Sequence, residues 1–292
     1  MENKKIFLGS LFVIGFLLVA FCIGLFVKGS ENPAPGKAET DTGVKTPQAE
    51  TEDSTAPETT PAETAPADTD KAPRYIFGTP LEESEPPASD DAFHNAVFLG
   101  DSRTEGLQLW GGIRQGDYLW HRGMTVFRVD DENYTFGVAG EALTMVGVLQ
   151  KKQYEQIYIM IGVNELGYPA ASYEKGLGTF LDKVIAAQPE AVIYLQTLPP
   201  LNDELAQKYL AAYENNKNIC VFNEIIVRMA AEKRVVLLDV ATAYRDEEGQ
   251  LPAELTKDGC HFTAEGYGIW ADYLRRHRID KARYFDSRGA SD

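Results

Sequence analysis

The sequence predicts an α/β fold for residues 91–292, a three-layer α/β/α sandwich around a mostly parallel sheet. Four short runs, at 96–100, 157–162, 191–197 and 235–240, are almost entirely apolar, which is typical of parallel strands buried on both faces. Amphipathic segments lie between these runs. Strands that alternate with helices favour right-handed crossovers, and the helices then cover both faces of the sheet.

Three segments have the apolar spacing of helices. In two of them apolar residues recur at i, i+3, i+4, i+7 and i+8, namely Leu177, Phe180, Leu181, Val184 and Ile185, and then Phe222, Ile225, Ile226, Met229 and Ala230. The third is predicted to be the last helix, with Thr263 as its N-cap and with Tyr267, Trp270, Ala271 and Leu274 buried. We expect ligands at the carboxyl ends of the strands.

Residues 1–28 are predicted to form a cytoplasmic stub and a transmembrane signal anchor. The stretch 6–27 carries no charge, and at about 1.5 Å per residue it spans a hydrocarbon core of about 30 Å. It is longer than the apolar region of a cleavable signal peptide, and no A-x-A-like site follows it. Lys4 and Lys5 precede the span, which favours a cytoplasmic N-terminus and an extracellular domain on the cell-wall side.

Residues 29–90 are predicted to be a disordered acidic linker rich in Pro, Thr, Glu and Ala. They contain 10 of the 15 prolines and 14 acidic against 4 basic residues. Such a segment buries too little apolar surface to offset its ordering entropy. We therefore interpret it as a tether that holds residues 91–292 away from the membrane.

Net charge and cysteine content exclude several classes of protein. The chain has 44 acidic and 28 basic residues, a formal charge of −16, which argues against nucleic acid as a partner. Three cysteines in 292 residues, Cys22, Cys220 and Cys260, provide neither a disulfide framework nor the spacing of metal ligands. No metal site is predicted.

Three motifs bring polar chemistry to the predicted carboxyl edge of the sheet. Ser102 in GDS follows the first strand, Asn164 in GVNE follows the run at 157–162, and DGCH supplies Asp258 and His261. The Asp258–His261 spacing lets a carboxylate orient an imidazole that acts as base on a serine. An asparagine amide can donate to a developing oxyanion. Alone, each motif also fits a cap or a turn; in this order they supply a nucleophile, a base, its orienter and an oxyanion donor.

Together these motifs resemble the SGNH (GDSL-type) hydrolase superfamily, in its membrane-anchored extracytoplasmic bacterial type. The resemblance covers residues 93–292, and Glu165 stands where the family usually has aspartate. It implies the SGNH-hydrolase, flavodoxin-like fold and the absence of a cofactor. It also implies that the family's roles of nucleophile, general base, orienter and oxyanion-hole donor fall respectively to Ser102, His261, Asp258 and Asn164, with the N–H of Ser102 as a second donor.

The glycine that completes the family's oxyanion hole has two candidates. Gly123 follows the predicted second strand, where the family normally places this residue. Gly140 lies in the stretch FGVAGEAL, which is closer to the family's sequence motif G-x-S-G-D and is predicted to start a helix. Both stay open, with Gly123 favoured because it requires no insertion.

Each of the other polar and aromatic residues near these motifs has two possible interpretations, a structural one and a functional one. Asp101 is expected to accept hydrogen bonds from local backbone amides. Candidates for pocket walls are Asp101, His121, Glu165 and Tyr168, and a purely structural role is equally open for Glu165 and Tyr168. Trp110 and Trp120 belong either to the core or to a platform for a sugar.

The resemblance and the predicted tether imply a serine ester hydrolase that forms an acyl-enzyme. The expected substrate is an acylated small molecule or carbohydrate, specifically an O-acetylated carbohydrate of the cell wall or the environment. One alternative is an O-acyltransferase that uses the same acyl-enzyme. The other is an inactive surface module that binds carbohydrate.

Overall fold

The structure of the protein, a computed structural model, describes residues 72–290. The predicted span 6–27 and most of the predicted linker lie outside these residues. Within residues 72–290, no helix combines the length and the apolar character needed to cross a bilayer.

A parallel sheet forms the centre of the described region. Its strands, with those of a separate hairpin, are β1 (Ala96–Gly100), β2 (Asp117–Trp120), β3 (Thr135–Val138), β4 (Glu141–Thr144), β5 (Gln156–Met160), β6 (Val192–Gln196) and β7 (Val236–Leu238). Five of them pair in parallel in the order β2-β1-β5-β6-β7, while β3 and β4 form the antiparallel hairpin. All four predicted runs are strands of the parallel sheet, so the α/β class is confirmed.

Helices cover both faces of the sheet. They are α1 (Ser102–Trp110), α2 (Met145–Lys151), α3 (Ala170–Ala187), α4 (Asp203–Tyr209), α5 (Asn216–Glu232), α6 (Ala264–Arg276) and α7 (Lys281–Gly289). Helix α1 packs against α6, and α3 packs against α2 and α5. The chain runs from β1 to β2 in one direction and from β5 to β7 in the other, so right-handed crossovers place these two groups on opposite faces.

The strand order also determines where a ligand can bind. The direction of the chain along the sheet reverses between β1 and β5, which are neighbours. In an open parallel sheet, a crevice forms at this reversal, outside the carboxyl ends of the strands. The residues that follow β1 and β5 therefore face the natural binding site of the fold.

The apolar spacing of α6 predicted its packing correctly. Tyr267, Trp270, Ala271 and Leu274 are all buried. The hydroxyl of Thr263 accepts the N–H of Gly266 and caps the helix, as expected.

The prediction that α6 is the last helix is wrong, because α7 follows it. This helix is polar, and its buried residues are Tyr284 and Ser287. Sequence periodicity missed it because two buried positions do not make an apolar stripe.

The predicted end of the linker at residue 90 is also wrong. Tyr75 and Leu81 are buried in the core, 4% and 3% exposed. The backbone N–H of Leu81 donates to Leu237 O at 3.0 Å, and the N–H of Leu237 donates to the hydroxyl of Tyr75 at 3.0 Å. Residues 75–81 thus cover the free edge of β7. The acidic, proline-rich composition of the stretch 29–90 around them did not reveal this.

Candidate active site

Ser102 lies where strand β1 gives way to helix α1. Asp101 caps this helix, because its Oδ1 atom accepts the N–H of Arg103 at 2.9 Å. Ser102 is the first residue of α1, so its own N–H belongs to the unpaired amides at the positive end of the helix. The local sequence therefore places a hydroxyl and an amide donor at the carboxyl edge of the sheet.

The loop before α6 holds His261 by several hydrogen bonds to one carboxylate. Asp258 Oδ2 lies 2.7 Å from His261 Nδ1, and Oδ1 accepts the backbone N–H groups of Cys260 at 2.9 Å and of His261 at 2.8 Å. Burial works to raise the pKa of Asp258, but the bonds from the imidazole and these amides hold that pKa well below its ordinary value. The carboxylate is therefore ionised and fixes the ring by accepting from Nδ1–H.

The other ring nitrogen of the histidine faces the serine. His261 Nε2 lies 2.8 Å from Ser102 Oγ, and both residues are partly exposed. With Nδ1–H bonded to Asp258, Nε2 is the acceptor and the serine hydroxyl donates to it. This chain of hydrogen bonds can transfer a proton from the hydroxyl to the ring during nucleophilic attack.

Asn164 follows β5 in a short turn, Val163–Glu165, next to the serine loop. Gly162 precedes this turn with φ 145, and a Cβ there would lie 2.6 Å from the hydroxyl oxygen of Tyr173, so the tight turn requires glycine. The Nδ2 group of Asn164 donates to Asp101 Oδ2 at 3.2 Å and to Met124 O at 3.0 Å. The amide is thereby oriented with its donor group between β1 and the loop after β2.

Asp101 therefore acts on both α1 and Asn164. Its side chain is buried, and burial raises its pKa although the amide and guanidinium of Arg103 oppose the rise. The predicted bond to a local backbone amide is present, whereas Asp101 does not line the cavity at Ser102. Its bond to Asn164 was not foreseen, because these residues are far apart in the sequence.

Of the two roles left open for Glu165, the structure supports the structural one, because this residue does not line the cavity at Ser102. It is 0% exposed, and its Oε1 atom accepts the N–H of Val126 at 2.7 Å. Burial raises its pKa to about 8, despite that bond, and the nearby charge of Asp101 acts in the same direction. Through this hydrogen bond Glu165 holds the backbone of the loop after β2 in place.

The two candidate glycines lie in different surroundings. Gly123 follows β2, and the next residue, Met124, accepts the bond from Asn164. Gly140 lies at the exposed tip of the β3–β4 hairpin, where Ala139 and Gly140 both have positive φ. The helix predicted to start at Gly140 is therefore wrong, since alternation over a four-residue strand is too short to distinguish from a helical pattern.

The remaining predicted wall residues differ in position. The His121 ring packs on Phe136 at 4.8 Å, and its Nε2 atom lies 3.2 Å from Thr135 O, so it joins β2 to the hairpin and does not line the cavity at Ser102. Tyr168 is 50% exposed and lies 5.1 Å from Phe127, centroid to centroid. It stays a candidate for the wall beyond Asn164.

Sequence reasoning missed Arg103, which is fully buried. Its Nε atom donates to Cys260 O at 3.2 Å, and its guanidinium lies 5.4 Å from the centroid of Phe262. It therefore joins the serine loop to the histidine loop. In the sequence, Arg103 is only a charged residue directly after Ser102. Charged residues are also common at exposed helix ends, so its position did not predict burial.

A cavity of about 350 Å³ opens at the serine. It is lined by Ser102, Glu105, Gly106, Leu109, Trp110, Arg122, His261, Phe262 and Tyr267. Of the candidate site residues, Ser102, His261 and Trp110 contribute to it. Among residues 72–290, no three His, Cys, Asp or Glu side chains are grouped so as to hold a metal ion.

Comparisons with known proteins agree with this fold. The model of the GDSL-like Lipase/Acylhydrolase family matches residues 98–269, which include the end of β1, all of β5 and the Asp258–His261 loop. An isoamyl acetate-hydrolyzing esterase from Saccharomyces cerevisiae is 29% identical over 73 residues, which are 25% of this chain and 29% of that esterase. This chain thus spans less than a third of the length of that relative.

A solved structure supports the architecture. It is that of a Streptococcus pneumoniae protein provisionally described as a platelet activating factor, with a TM-score of 0.52 and 24% identity. The match covers 63% of this chain and 83% of the other, and at this identity it shows the fold alone. With more than half of its length matched by the family model, the chain belongs to the GDSL-like lipase/acylhydrolase family of SGNH-type ester hydrolases.

Proposed function

We propose that the protein is a serine ester hydrolase with Ser102, His261 and Asp258 as its catalytic triad. The observation that carries this proposal is the continuous chain of hydrogen bonds, 2.8 Å from Ser102 Oγ to His261 Nε2 and 2.7 Å from Nδ1 to Asp258 Oδ2. Family membership supports the same reaction class. An inactive binding module has no need of this proton path.

The proposed reaction proceeds in two stages, each of which uses His261 as the proton carrier. The Ser102 hydroxyl attacks the ester carbonyl while His261 Nε2 takes its proton, and the imidazolium then protonates the leaving alcohol. Water, deprotonated by the same nitrogen, cleaves the acyl-enzyme and restores the serine.

The oxyanion is stabilised by hydrogen bonds from the carboxyl edge of the sheet. Its donors are the N–H of Ser102, the Nδ2 group of Asn164 and the N–H of Gly123. Because the Asn164 amide already bonds Asp101 and Met124, it donates to the oxyanion by sharing or exchanging the bond to Met124. The position of Gly140 on a hairpin tip favours Gly123.

We further propose that the substrate is a carbohydrate ester of a short acid, with acetyl as the acyl group. The yeast relative, named for hydrolysis of an acetate ester, supports a short acyl group. The uncharged stretch 6–27 and the acidic linker support a domain tethered outside the membrane, where acylated cell-wall or environmental carbohydrate is available.

Hydrolysis of p-nitrophenyl acetate by the purified full chain tests the reaction class. We expect turnover to fall by a factor of about 10⁴ or more in Ser102→Ala and in His261→Ala, because either change breaks the proton path. Ser172→Ala and His94→Ala change exposed residues outside the cavity and serve as matched controls.

The products and the labelling pattern separate the alternatives. A fluorophosphonate should label the wild type and fail to label Ser102→Ala. Wild-type turnover in Ser102→Ala would refute the mechanism. Acetyl release that requires a sugar hydroxyl as acceptor would indicate an acyltransferase, and a folded chain with neither turnover nor labelling would indicate a binding module.

A further inference from the structure

The cavity at Ser102 extends along one face of helix α1. Its lining residues on this helix are Ser102, Glu105, Gly106, Leu109 and Trp110. The spacing i, i+3, i+4, i+7 and i+8 places these residues in one continuous stripe. We call this stripe, with the lining residues that flank it, the α1 groove.

At Gly106, in the middle of the α1 groove, the ring of Tyr267 packs directly against helix α1. A Cβ at position 106 would lie 1.9 Å from Cζ of Tyr267, so Gly106 is the residue that lets α6 approach this closely. Because the Tyr267 ring fills the space between α1 and α6, a ligand cannot enter between the two helices at this point. It must instead extend along the surface of α1.

The length of the α1 groove sets a minimum size for a ligand that fills it. Ser102 and Trp110 are the first and last residues of α1, and their Cα atoms are separated by about 12 Å along the helix axis at a rise of about 1.5 Å per residue. A small alcohol attached to an acyl group at Ser102 does not reach the indole. A ligand that fills the whole groove therefore has an extended part of more than one unit.

The middle of the α1 groove is polar and charged. Arg122 Nε and Nη2 donate to the two carboxylate oxygens of Glu105 at 2.6 and 2.8 Å. The Arg122 side chain is 77% exposed and Glu105 is 12% exposed. An alkyl chain over this pair would remove its water without replacing any hydrogen bond, which is costly. Hydroxyl groups both donate and accept and can take the place of that water.

The far end of the α1 groove is aromatic. Trp110 is 60% exposed and Leu109 is 59% exposed, so neither belongs to the core. Trp120, by contrast, is half-buried and donates its indole N–H to Gln108 Oε1 at 2.7 Å. Of the two tryptophans that the sequence left undecided, Trp110 is the one whose ring is free to bind a ligand.

We propose that the α1 groove binds the alcohol part of the substrate and that this part is an oligosaccharide, with a sugar ring stacked on the indole of Trp110, at the end of the groove away from the reacting serine. The inference rests on the proposed ester hydrolase activity. A sugar combines an apolar ring face for Trp110 with hydroxyls for Glu105 and Arg122. An acyl chain has an apolar surface for Trp110 but no hydroxyl groups for Glu105 and Arg122. In this proposal the acyl group therefore lies outside the α1 groove and is short.

Chain-length dependence of kcat/KM tests this inference. The probes are O-acetylated xylo- and chito-oligosaccharides of increasing length, beside p-nitrophenyl acetate and p-nitrophenyl octanoate. For the full chain we expect kcat/KM to rise with oligosaccharide length. In Trp110→Ala, kcat/KM should fall by about tenfold more for the longest oligosaccharides than for p-nitrophenyl acetate, with partial recovery in Trp110→Phe.

A matched control is available in Tyr209→Ala, which removes an aromatic ring that is 65% exposed and does not line the groove. It should leave the length dependence intact, and thermal unfolding checks that all variants fold. Equal losses of Trp110→Ala on short and long substrates would overturn the inference. So would a loss confined to p-nitrophenyl octanoate, or turnover of p-nitrophenyl acetate with none of any oligosaccharide. Absence of all turnover would instead refute the proposed function.

Discussion

Two buried carboxyl groups flank the amide of Asn164 at the edge of the sheet. Asp101 accepts one of its hydrogen bonds directly, and Glu165 holds the backbone of Val126 in the loop that carries Met124, the other acceptor. Neither carboxyl group touches the hydroxyl of Ser102. Both act on the site by positioning its donors, which separates them from the proposed triad.

The substitution Asp101→Asn tests the orientation of the asparagine amide. An asparagine still caps α1 well, so the helix should be retained. If its side-chain amide group faces Asn164, however, two donor groups oppose each other and the Asn164 amide turns. We expect kcat to fall by up to about 10²-fold with little change in KM, as for the weakening of one oxyanion donor.

Steady-state kinetics with p-nitrophenyl acetate measures this change. A parallel determination of the unfolding free energy distinguishes a positioning effect from a loss of fold. An unchanged kcat in a folded Asp101→Asn variant would contradict the proposed role of this residue.

Glu165 should make the stability of the domain depend on pH. Burial raises its pKa to about 8 from the ordinary value of 4.5, so the folded chain keeps a proton that the unfolded chain releases. From about pH 4.5 to about pH 8 the unfolded state is favoured increasingly by ionisation, and the free energy of unfolding contributed here falls as pH rises. Below this range both states are protonated and the contribution is constant.

Urea denaturation at several pH values between 5 and 8 measures this effect. In Glu165→Gln the side chain can still accept the N–H of Val126 but does not ionise, so the decline in stability should be smaller than in the wild type. Glu190→Gln changes an exposed carboxylate and should behave like the wild type. An identical decline in all three proteins would contradict the assignment to Glu165.

At the scale of elements, the segment before the first strand belongs to the folded unit. Tyr75 donates its backbone N–H to Ser287 Oγ in α7 at 2.8 Å, and Leu81 bonds the edge strand β7. The segment thus joins α7 to the sheet. An uncovered β7 would present free backbone groups to other chains.

Two truncated chains test the importance of this segment. A chain that starts at residue 91 loses the buried side chains of Tyr75 and Leu81, each worth about 1.5–3 kcal/mol. We expect it to unfold at lower urea concentration and to aggregate more readily than a chain that starts at residue 72. Equal denaturation midpoints and equal monomer fractions in size-exclusion chromatography would show that the segment adds no stability.

At the scale of the whole molecule, the charge is unevenly distributed. The part of the predicted linker that lies before the described residues, 29–71, has 10 acidic and 3 basic residues, a net −7 of the total −16. A strongly acidic spacer repels itself and favours extension. This distribution agrees with the proposal that a mildly acidic enzyme domain is held away from a membrane by a charged tether.

Membrane fractionation tests the proposed anchor. The full chain, produced in a bacterial host, should remain in the membrane pellet after a carbonate wash because of residues 6–27, whereas a chain that starts at residue 72 should not. Protease added outside intact spheroplasts should release the domain if it lies on the outer face. Release of the full chain by carbonate, or protection from protease, would contradict the anchor or its orientation.

The sequence alone was sufficient to predict the α/β class, the four apolar strands and the packing of α6. These features depend on local periodicity, which a chain carries in its own order of residues. The GDS, GVNE and DGCH motifs were likewise readable, because each is a short local pattern, and GDS and GVNE lie at or directly after the ends of strands. The short hairpin, α7 and the segment 75–81 were not, since few of their residues are buried and no stripe results.

The tertiary structure decided what depends on residues far apart in the chain. It placed Asp101 against Asn164, buried Glu165 under the loop after β2, and separated the loop of Gly123 from the hairpin tip of Gly140. It also showed that Trp110 is exposed on the groove that begins at Ser102. Burial and long-range hydrogen bonds arise only when strands and helices pack. The order of residues along the chain therefore does not show which polar groups become hydrogen-bond partners.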